Sequence, residues 1–464
     1  MAKKTDAVGS SATDGTERKL PLTESLPATM IAQLENLGTA LLALARQHRD
    51  ESLATLEKQV LETVRDALPG LLEEVLKCST SDLQPPSAHW HQSCPSCGER
   101  TTAKSWRPRT VTTICGKITF ERPWFVCDHC GHNFSVVDET LQLEPRARLS
   151  QGVREWIIGL GASTSFGEAS YWLGNLTGLK VSEETIRQHT ERRGQEIEEM
   201  QQEAREQVKR TGEAAEPVDP APGLLVIETD AVKVRYLDGW HDVKIGLVAG
   251  YEAEEMVAPS YIAARESAED FGPRLLAEAA RRGALEVACW EGAVTQRGLA
   301  VLREVVVVGD GAVWIWNLAA EHFGERIEIL DFYHASEHIW VVAKAVYGEG
   351  SEAAKRWAEE RIEELLEGGA EPVLKALAEV KAGSVEVREV LRVELGYFRT
   401  NASRMEYAKF REMGLPIGSG PVESSAKHLV QQRMKRPGSR WSKEGAQGVL
   451  NVRSRMLSGL PLVA

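Results

Sequence analysis

Three acidic residues occupy positions at which carboxylates could hold metal ions for phosphoryl transfer. Asp230 ends a short apolar run, Asp310 follows four valines and lies between two glycines, and Glu423 falls in the first turn of a helix predicted to begin at Gly420-Pro421. An acid at the end of a buried strand loses hydration, which is unfavourable unless a cation compensates for it. The three carboxylates therefore predict a site for two Mg²⁺ ions, which activate a water or a 3′-hydroxyl and stabilise the leaving oxygen.

The sequence also permits a structural role for each acid. An aspartate at the end of a strand often caps the following helix, and a glutamate in the first helical turn complements the helix dipole. Either role would explain Asp230, Asp310 or Glu423 taken singly. The coincidence of all three, in the order of elements described next, favours the metal site.

The elements that must position these acids follow from the pattern of apolar residues. After residue 223 the pattern predicts the order β-β-β-α-β-α-β, with a hairpin at Asp238-Gly239. We expect the first strand to end at Asp230 and the fourth to lead into Asp310. A helical pattern then runs from Ala335 to Arg399.

This arrangement resembles the RNase H-like catalytic core of DDE transposases. Asp331-Phe-Tyr-His334, 21 residues beyond Asp310, is similar to the DxxH signature of Mutator-like transposases and their bacterial relatives. The helical stretch before Glu423 is similar to the insertion that those enzymes carry before their last acid. The cysteine pairs upstream, together with Gly-Ser-Gly-Pro-Val-Glu423 and Lys435-Arg436-Pro-Gly, look most like the Kra-type insertion-sequence transposases.

The resemblance implies an α/β RNase H-like catalytic core with an all-α insertion, plus N-terminal helical and zinc-ribbon modules. By this resemblance Asp230, Asp310 and Glu423 bind two catalytic Mg²⁺ ions, and Asp331 and His334 lie near the site. It implies Mg²⁺-dependent cleavage of double-stranded DNA at the ends of an insertion sequence and attack of the 3′-hydroxyl on target DNA. Two alternatives are a structure-specific nuclease on the same core and a domesticated DNA-binding protein that no longer cuts.

Two CxxC pairs predict a structural Zn²⁺ site. Each pair is followed by a glycine, which lets backbone amides point at the thiolate sulfur atoms. Four thiolates at this spacing suit tetrahedral Zn²⁺ in a ribbon with a β-hairpin arm. The alternative is that His129 or His132 replaces one cysteine. The predicted ligands are Cys94, Cys97, Cys127 and Cys130.

The uneven charge of the chain predicts where DNA binds. The chain carries a formal charge of −13, whereas residues 401–464 contain 11 Lys and Arg against 4 Asp and Glu. Phosphate contacts beside a metal site are what strand transfer requires. The alternative is a C-terminal helix whose basic side chains are merely solvated. The predicted contacts are Lys427, Arg433, Lys435, Arg436, Arg440 and Lys443.

Residues 166–193 have the pattern of a helix, a turn and a second helix. The second helix would begin after Ser182 and expose Arg187 and His189, as in a recognition helix that enters the major groove. Helical hairpins of this composition also occur without DNA. On the ribbon arm Trp106, Arg107 and Arg109 are further candidates for DNA contact, with a solvated face as the alternative.

Length and cysteine usage predict a multidomain protein of the reducing cytoplasm, and the resemblance implies that it is prokaryotic and associated with the nucleoid. There is no run of 18 apolar residues and no signal peptide at the start, so we expect no membrane partner. Leucines between Ala28 and Lys77 predict one long helix or a helical hairpin, which either packs on the body or supplies a contact in a homodimer or higher multimer. The predicted regions are 1–20 disordered, 21–87 helical, 88–148 zinc ribbon, 149–211 helix-turn-helix-like, 212–223 linker, 224–334 first part of the core, 335–400 helical insertion, and 401–464 last part of the core with the basic tail.

Overall fold

The computed structural model describes residues 26–47, 51–81, 90–214, 223–284 and 304–463. The chain divides into two compact units, Met1–Ser150 and Gln151–Ala464. The disorder expected for residues 1–20, and most of the expected linker at 212–223, lie outside the described residues.

The first unit begins with a pair of helices. α1 spans Ala28–Gln47 and α2 spans Leu53–Ser79, so the leucine pattern forms two helices rather than one. Ser52 caps α2, since its side chain accepts a hydrogen bond from the backbone N–H of Thr55. Among the described residues, α1 is the one helix long and apolar enough to cross a membrane. A single helix of this kind is only weak evidence for a membrane span.

A four-stranded antiparallel sheet follows, with the order β1-β2-β3-β4. β2 and β3 form a long hairpin. Its turn ends at Gly116, the first residue of β3, where φ is +111° and glycine is favoured. At the opposite end of the hairpin, Phe125 packs against Trp90 and Phe134. The strands are His91–Ser93, Arg100–Thr113, Gly116–Val126 and Asn133–Phe134, and the short helix α3, Val136–Thr140, follows them.

The second unit begins with three helices: α4, Gln151–Ser163; α5, Phe166–Thr177; and α6, Glu183–Thr211. Ser165 starts α5 with a capping box, and Gly178 ends it in the left-handed conformation, φ +77°. Ser182 caps α6 through the N–H of Thr185. The helix, turn and helix predicted for 166–193 are therefore present as α5 and the first part of α6.

A five-stranded mixed sheet forms the centre of the second unit, with the order β7-β6-β5-β8-β9. β5, β6 and β7 are antiparallel neighbours, whereas β8 and β9 run parallel to β5. β5 and β6 are joined at Asp238-Gly239, as the sequence predicts. The strands are β5, Leu224–Tyr236; β6, Gly239–Glu252; β7, Glu255–Ala264; β8, Glu304–Gly309; and β9, Ile327–Leu330.

The prediction that the first of these strands ends at Asp230 is wrong. β5 continues to Tyr236 because its second half keeps a strict alternation, with Val232 and Val234 buried and Lys233 and Arg235 exposed. This alternation is typical of a strand with one face on the core. Asp230 therefore lies in the middle of a long strand.

Helices pack on the sheet and make up most of the remaining described residues of the second unit. α9 to α12 occupy the stretch expected to be a helical insertion, and α14 continues through a π-helical segment, Ala426–Gln431, into α15. The helices are α7, Ala268–Arg281; α8, Val313–His322; α9, Phe332–Tyr347; α10, Glu352–Gly368; α11, Ala370–Glu379; α12, Val385–Asn401; α13, Tyr407–Glu412; α14, Gly420–Ser425; α15, Gln432–Met434; and α16, Lys443–Leu457.

Candidate active site and metal centre

Asp230, within β5, and Asp310, immediately after β8, lie at corresponding positions on neighbouring segments. The parallel pairing of β5 with β8 extends to Glu228 and Val308, and each aspartate is two residues farther along. Oδ1 of Asp230 accepts a hydrogen bond from the N–H of Ala231 at 2.6 Å. The register explains why two acids 80 residues apart in the sequence lie side by side at the point where β8 ends next to the middle of β5.

Glu423 reaches the same place from α14. Its exposed side chain and that of Asp310 both raise the pKa of the Asp230 carboxyl, after the larger effect of burial, while His334 lowers it. Each of these two negative charges disfavours ionisation of Asp230. We call Asp230, Asp310 and Glu423 the acidic cluster; Asp310, Glu423 and His334 all lie within electrostatic range of the Asp230 carboxyl.

The donor set of the acidic cluster fits Mg²⁺, which prefers carboxylate oxygens. A cation would offset both the burial of Asp230 and the repulsion from its two neighbours. The three carboxylates do not form a group whose ligand atoms all lie within 4.8 Å of one another. Ligation of a shared ion would therefore draw the side chains together.

Asp331 is a positioning residue rather than a member of the acidic cluster. It is 3% exposed, and its Oδ1 caps α9 by accepting the N–H of His334 at 2.8 Å. Its Oδ2 accepts both the N–H and the hydroxyl of Ser419, each at 2.5 Å. Asp331 thus ties α9 to the loop that precedes α14, and so helps to place both His334 and Glu423.

Sequence reasoning missed Glu228, a fully buried acid on β5. Its Oε2 accepts the N–H of Val422 at 2.8 Å, and its Oε1 has no hydrogen-bond partner among the described residues. Burial raises the pKa of Glu228 to about 8, with a further contribution from Asp331. The available signal was one acid inside the apolar run of β5, two residues before Asp230.

Sequence reasoning also missed His338, which contacts the DxxH histidine His334, and Glu394, which contacts His338. His338 lies one turn after His334 on α9, and their Nε2 atoms are 3.4 Å apart. The Nδ1 atom of His338 lies 2.6 Å from Oε2 of Glu394 on α12. The contact between His338 and Glu394 joins residues 56 positions apart, so no local sequence pattern marks it.

The four predicted cysteines form a second centre, in the first unit. Their sulfur atoms all lie within 4.8 Å of one another, a group that could bind a metal ion such as Zn²⁺. Gly98 and Gly131, which follow the two pairs, have φ of +76° and +73°, as expected for the tight turns. The donor set is therefore Cys94, Cys97, Cys127 and Cys130, without His129 or His132.

The predicted DNA contacts differ in accessibility. The prediction that Arg433 contacts phosphate is wrong, because its guanidinium is buried over the rings of Phe166 and Trp441 and donates to the carbonyl of Gly161. Burial lowers the pKa of Arg433 to about 10. Arg436 is half-buried and paired with Glu168. The exposed members of the set are Lys427, Lys435, Arg440 and Lys443.

Arg187 and His189, the candidate DNA contacts on α6, both have partners within that helix. Arg187 is paired with Glu184 at 2.6 Å and with Glu191 at 2.5 Å, so its charge is offset within α6. His189 is half-buried, and its Nδ1 lies 3.0 Å from Arg192.

On the arm, the proposed DNA contact of Arg109 is wrong, because it is 8% exposed and paired with Asp138. Its second terminal nitrogen donates to the backbone carbonyl of Glu144. Trp106 and Arg107 remain exposed, and Arg107 lies over the ring of Trp124. The arm therefore keeps two accessible candidates for DNA contact.

Residues 52–234 match the model of an uncharacterised protein family, UPF0236. This range contains the four cysteines and Asp230. A relative named "UPF0236 protein in vanSb 3′region", from Streptococcus gallolyticus, is 23% identical over 363 residues, which cover 76% of this chain and 73% of that protein. Both comparisons relate the chain to UPF0236, and neither assigns an activity.

Proposed function

We propose that the protein is a DDE-type insertion-sequence transposase that cuts DNA at element ends and joins the 3′-hydroxyl to target DNA. The observation that carries the proposal is the convergence of Asp230, Asp310 and Glu423, since both of the other acids act on the pKa of Asp230. Two carboxylates from adjacent parallel strands and a third from a helix are a donor set for two-metal phosphoryl transfer.

The sheet supports an RNase H-like core. Three antiparallel strands, β5 to β7, precede the parallel strands β8 and β9, and this is the sequential order on which the resemblance rests. α9 to α12 lie between the second and third acids, where the resemblance implies a helical insertion.

In this mechanism the chain supplies ligands, anchors and phosphate contacts. Bound Mg²⁺ would activate the attacking hydroxyl and stabilise the leaving oxygen. Asp230 and Asp310 would hold ions from the sheet, and Glu423 from α14, while Asp331 and Glu228 keep α14 in place. No covalent enzyme intermediate is needed, because the attacking oxygen displaces the leaving oxygen directly.

Double-stranded DNA is the proposed partner. The exposed basic residues of the tail follow Glu423 in the chain, from the π-helical segment after α14 to the start of α16, and we propose that they hold DNA phosphates. These exposed basic residues are Lys427, Lys435, Arg440 and Lys443.

Zn²⁺ bound by the four cysteines would stabilise the first unit without taking part in the reaction, because a filled tetrahedral site has no open position.

We also propose that the protein acts as a homodimer or higher multimer, in the cytoplasm and at the nucleoid of a prokaryote. α1 has no buried residue although it is apolar, and Leu34 and Leu42 are 43% and 61% exposed. A helix of this kind is stabilised when a second copy covers its apolar side chains.

The proposal is tested with purified protein, Mg²⁺ and DNA that carries the flanking sequence of its own gene. We expect nicked ends and joined products from the parent, and neither from Asp310→Asn, which should still bind the DNA. Asp242→Asn, which changes an exposed carboxylate on β6, is the matched control and should behave as the parent.

Three outcomes would contradict the proposal. Cutting without joined products would identify a nuclease. DNA binding without any cutting would identify a domesticated binding protein. Equal cutting by Asp310→Asn and the parent would show that the acidic cluster is not the site.

A further inference from the structure

A second group of titratable side chains lies beside the acidic cluster. Glu394 of α12 contacts Nδ1 of His338 at 2.6 Å, and Nε2 of His338 contacts Nε2 of His334 at 3.4 Å. Glu394 is 6% exposed, whereas the side chain of His334 is 38% exposed. These contacts, which we call the Glu394–His338–His334 chain, run from the interior toward the acidic cluster.

The ring of His338 is held in one orientation. Tyr397, one turn after Glu394 on α12, stacks on it with ring centroids 3.7 Å apart and 18° between the planes. The carboxylate of Glu394 fixes the rotation of the ring within that plane. Stacking and the hydrogen bond together restrict how His338 can meet His334.

Hydrogen-bond chemistry assigns the protons along the Glu394–His338–His334 chain. A carboxylate only accepts hydrogen bonds, so Nδ1 of His338 carries a proton. In a neutral His338 ring Nε2 then has a lone pair, which accepts the Nε2–H of His334. This leaves Nδ1 of a neutral His334 with its lone pair, 3.7 Å from Oε2 of Glu337 and beyond hydrogen-bond distance.

The charged groups around His334 come from three elements. Glu337 lies on the same helix, Glu394 on α12 and Asp230 on β5. When His334 carries a proton, its positive charge lowers the pKa of Asp230, so the ring lies within electrostatic range of the acidic cluster. Tyr397 is half-buried near Asp310, and its partial burial first and the charge of Asp310 second raise the pKa of its hydroxyl.

We infer that Glu394 and His338 are positioning residues that hold His334 in its Nε2–H tautomer, so that its Nδ1 accepts the proton of the attacking hydroxyl; this inference rests on the proposed function. As the new P–O bond forms, the O–H bond of the water or 3′-hydroxyl breaks and its proton passes to Nδ1. The P–O bond to the leaving oxygen breaks, and that oxygen takes a proton from water. His334 then returns its proton to solvent, so charge balances over one turnover.

The first measurement does not depend on activity. The full-length protein, labelled with ¹⁵N in its histidines, should show His338 protonated at Nδ1 and His334 protonated at Nε2, with the signals assigned from the His334→Ala and His338→Phe variants. His338 protonated at Nε2 alone would overturn the inference, because Glu394 would then face a lone pair. In Glu394→Gln we expect the signals of His338 and His334 to shift, which a merely structural role of Glu394 would not produce.

The second measurement is single-turnover cleavage of element-end DNA with Mg²⁺. We expect Glu394→Gln to cut about tenfold more slowly than the parent and His334→Ala about 10²-fold more slowly, both with unchanged affinity for DNA. Glu389→Gln, which changes an exposed glutamate of the same helix that is paired with Arg392, should match the parent.

The outcomes separate this inference from the proposed function. If the parent cuts, Asp310→Asn does not, and Glu394→Gln cuts as the parent does, the inference is overturned and the transposase proposal stands. If the parent does not cut DNA, the proposed function fails and the role of His334 as base fails with it. If Glu394→Gln does not fold, the tautomers in the spectrum of the parent decide the question.

Discussion

The buried carboxyl of Glu228 accepts a hydrogen bond from the backbone N–H of Val422, the residue immediately before Glu423. β5 therefore provides one acid of the cluster, Asp230, and also anchors the helix that carries another. Glu228, whose hydrogen bond holds the start of α14, is fully buried. A single strand thus sets the relative position of two acids that are far apart in the sequence.

The pH dependence of stability should report on Glu228. Burial raises its pKa from 4.5 to about 8 in the folded protein, so the folded state keeps a proton that the unfolded state loses. The stabilisation is complete below about pH 4.5 and is lost as the pH rises toward 8. Glu228→Gln, which is neutral at every pH, should remove this slope from the free energy of unfolding measured in urea between pH 5 and 8.

A matched control for this experiment is Glu252→Gln, at the exposed end of β6. It should keep the pH slope of the parent. A Glu228→Gln variant with the same slope as the parent would show that Glu228 is already ionised in the folded protein.

The fold of the second unit was largely predictable because its signals are local. Short apolar runs predicted β8 and β9, Asp238-Gly239 predicted the hairpin between β5 and β6, and Ser182 predicted the start of α6. The end of β5 was missed for a physical reason. Asp230 was taken as a terminator, although the alternation beyond it, in Val232 and Val234, continues the strand.

The candidate site was predictable only in part, because its supporting contacts are long-range. Asp310 and Glu423 could be selected from their positions at strand and helix boundaries, and Asp230 from the end of its apolar run, although it lies within β5. Glu228 and Glu394 could not, since their partners lie 194 and 56 residues away. Arg433 shows the opposite failure: a basic residue in a basic segment is buried between two aromatic rings, which no local count of charges reveals.

Two basic residues of the tail should have different roles: an exposed one in DNA affinity and a buried one in the stability of the fold. Lys435→Ala removes an exposed charge, so we expect weaker DNA binding and a salt dependence of log K reduced by about one unit of slope, with unchanged thermal stability. Arg433→Ala removes a buried cation that stacks on two rings, so we expect a loss of about 2 kcal/mol or more in stability. Fluorescence anisotropy at several salt concentrations and urea unfolding measure the two effects. An unchanged salt slope in Lys435→Ala would remove this residue from the DNA interface.

The cysteine centre should hold one metal ion. We expect about one Zn per chain by elemental analysis, and its loss in Cys97→Ser together with faster proteolysis of residues 90–140. Cys115→Ser, a half-buried cysteine outside the group, is the control and should keep its zinc. Protein prepared without chelators that contains no zinc would contradict this assignment.

A single charge placed on the apolar part of α1 should weaken the proposed self-association of the protein. Leu42→Glu places a carboxylate on the exposed apolar part of α1, so we expect a smaller species by light scattering at the concentration where the parent is a dimer or larger. Asn36→Glu adds the same charge at a polar exposed position of the same helix and should not change the mass. Equal masses for the parent and Leu42→Glu would place the multimer contact elsewhere.

The most direct test of the central claim is the number of divalent ions that the acidic cluster binds. Mn²⁺ binding, measured by electron paramagnetic resonance on the protein with element-end DNA, should give about two sites per chain. We predict that Asp230→Asn, Asp310→Asn and Glu423→Gln each lose at least one of these sites while the DNA remains bound. Unchanged Mn²⁺ binding in all three variants would contradict the account.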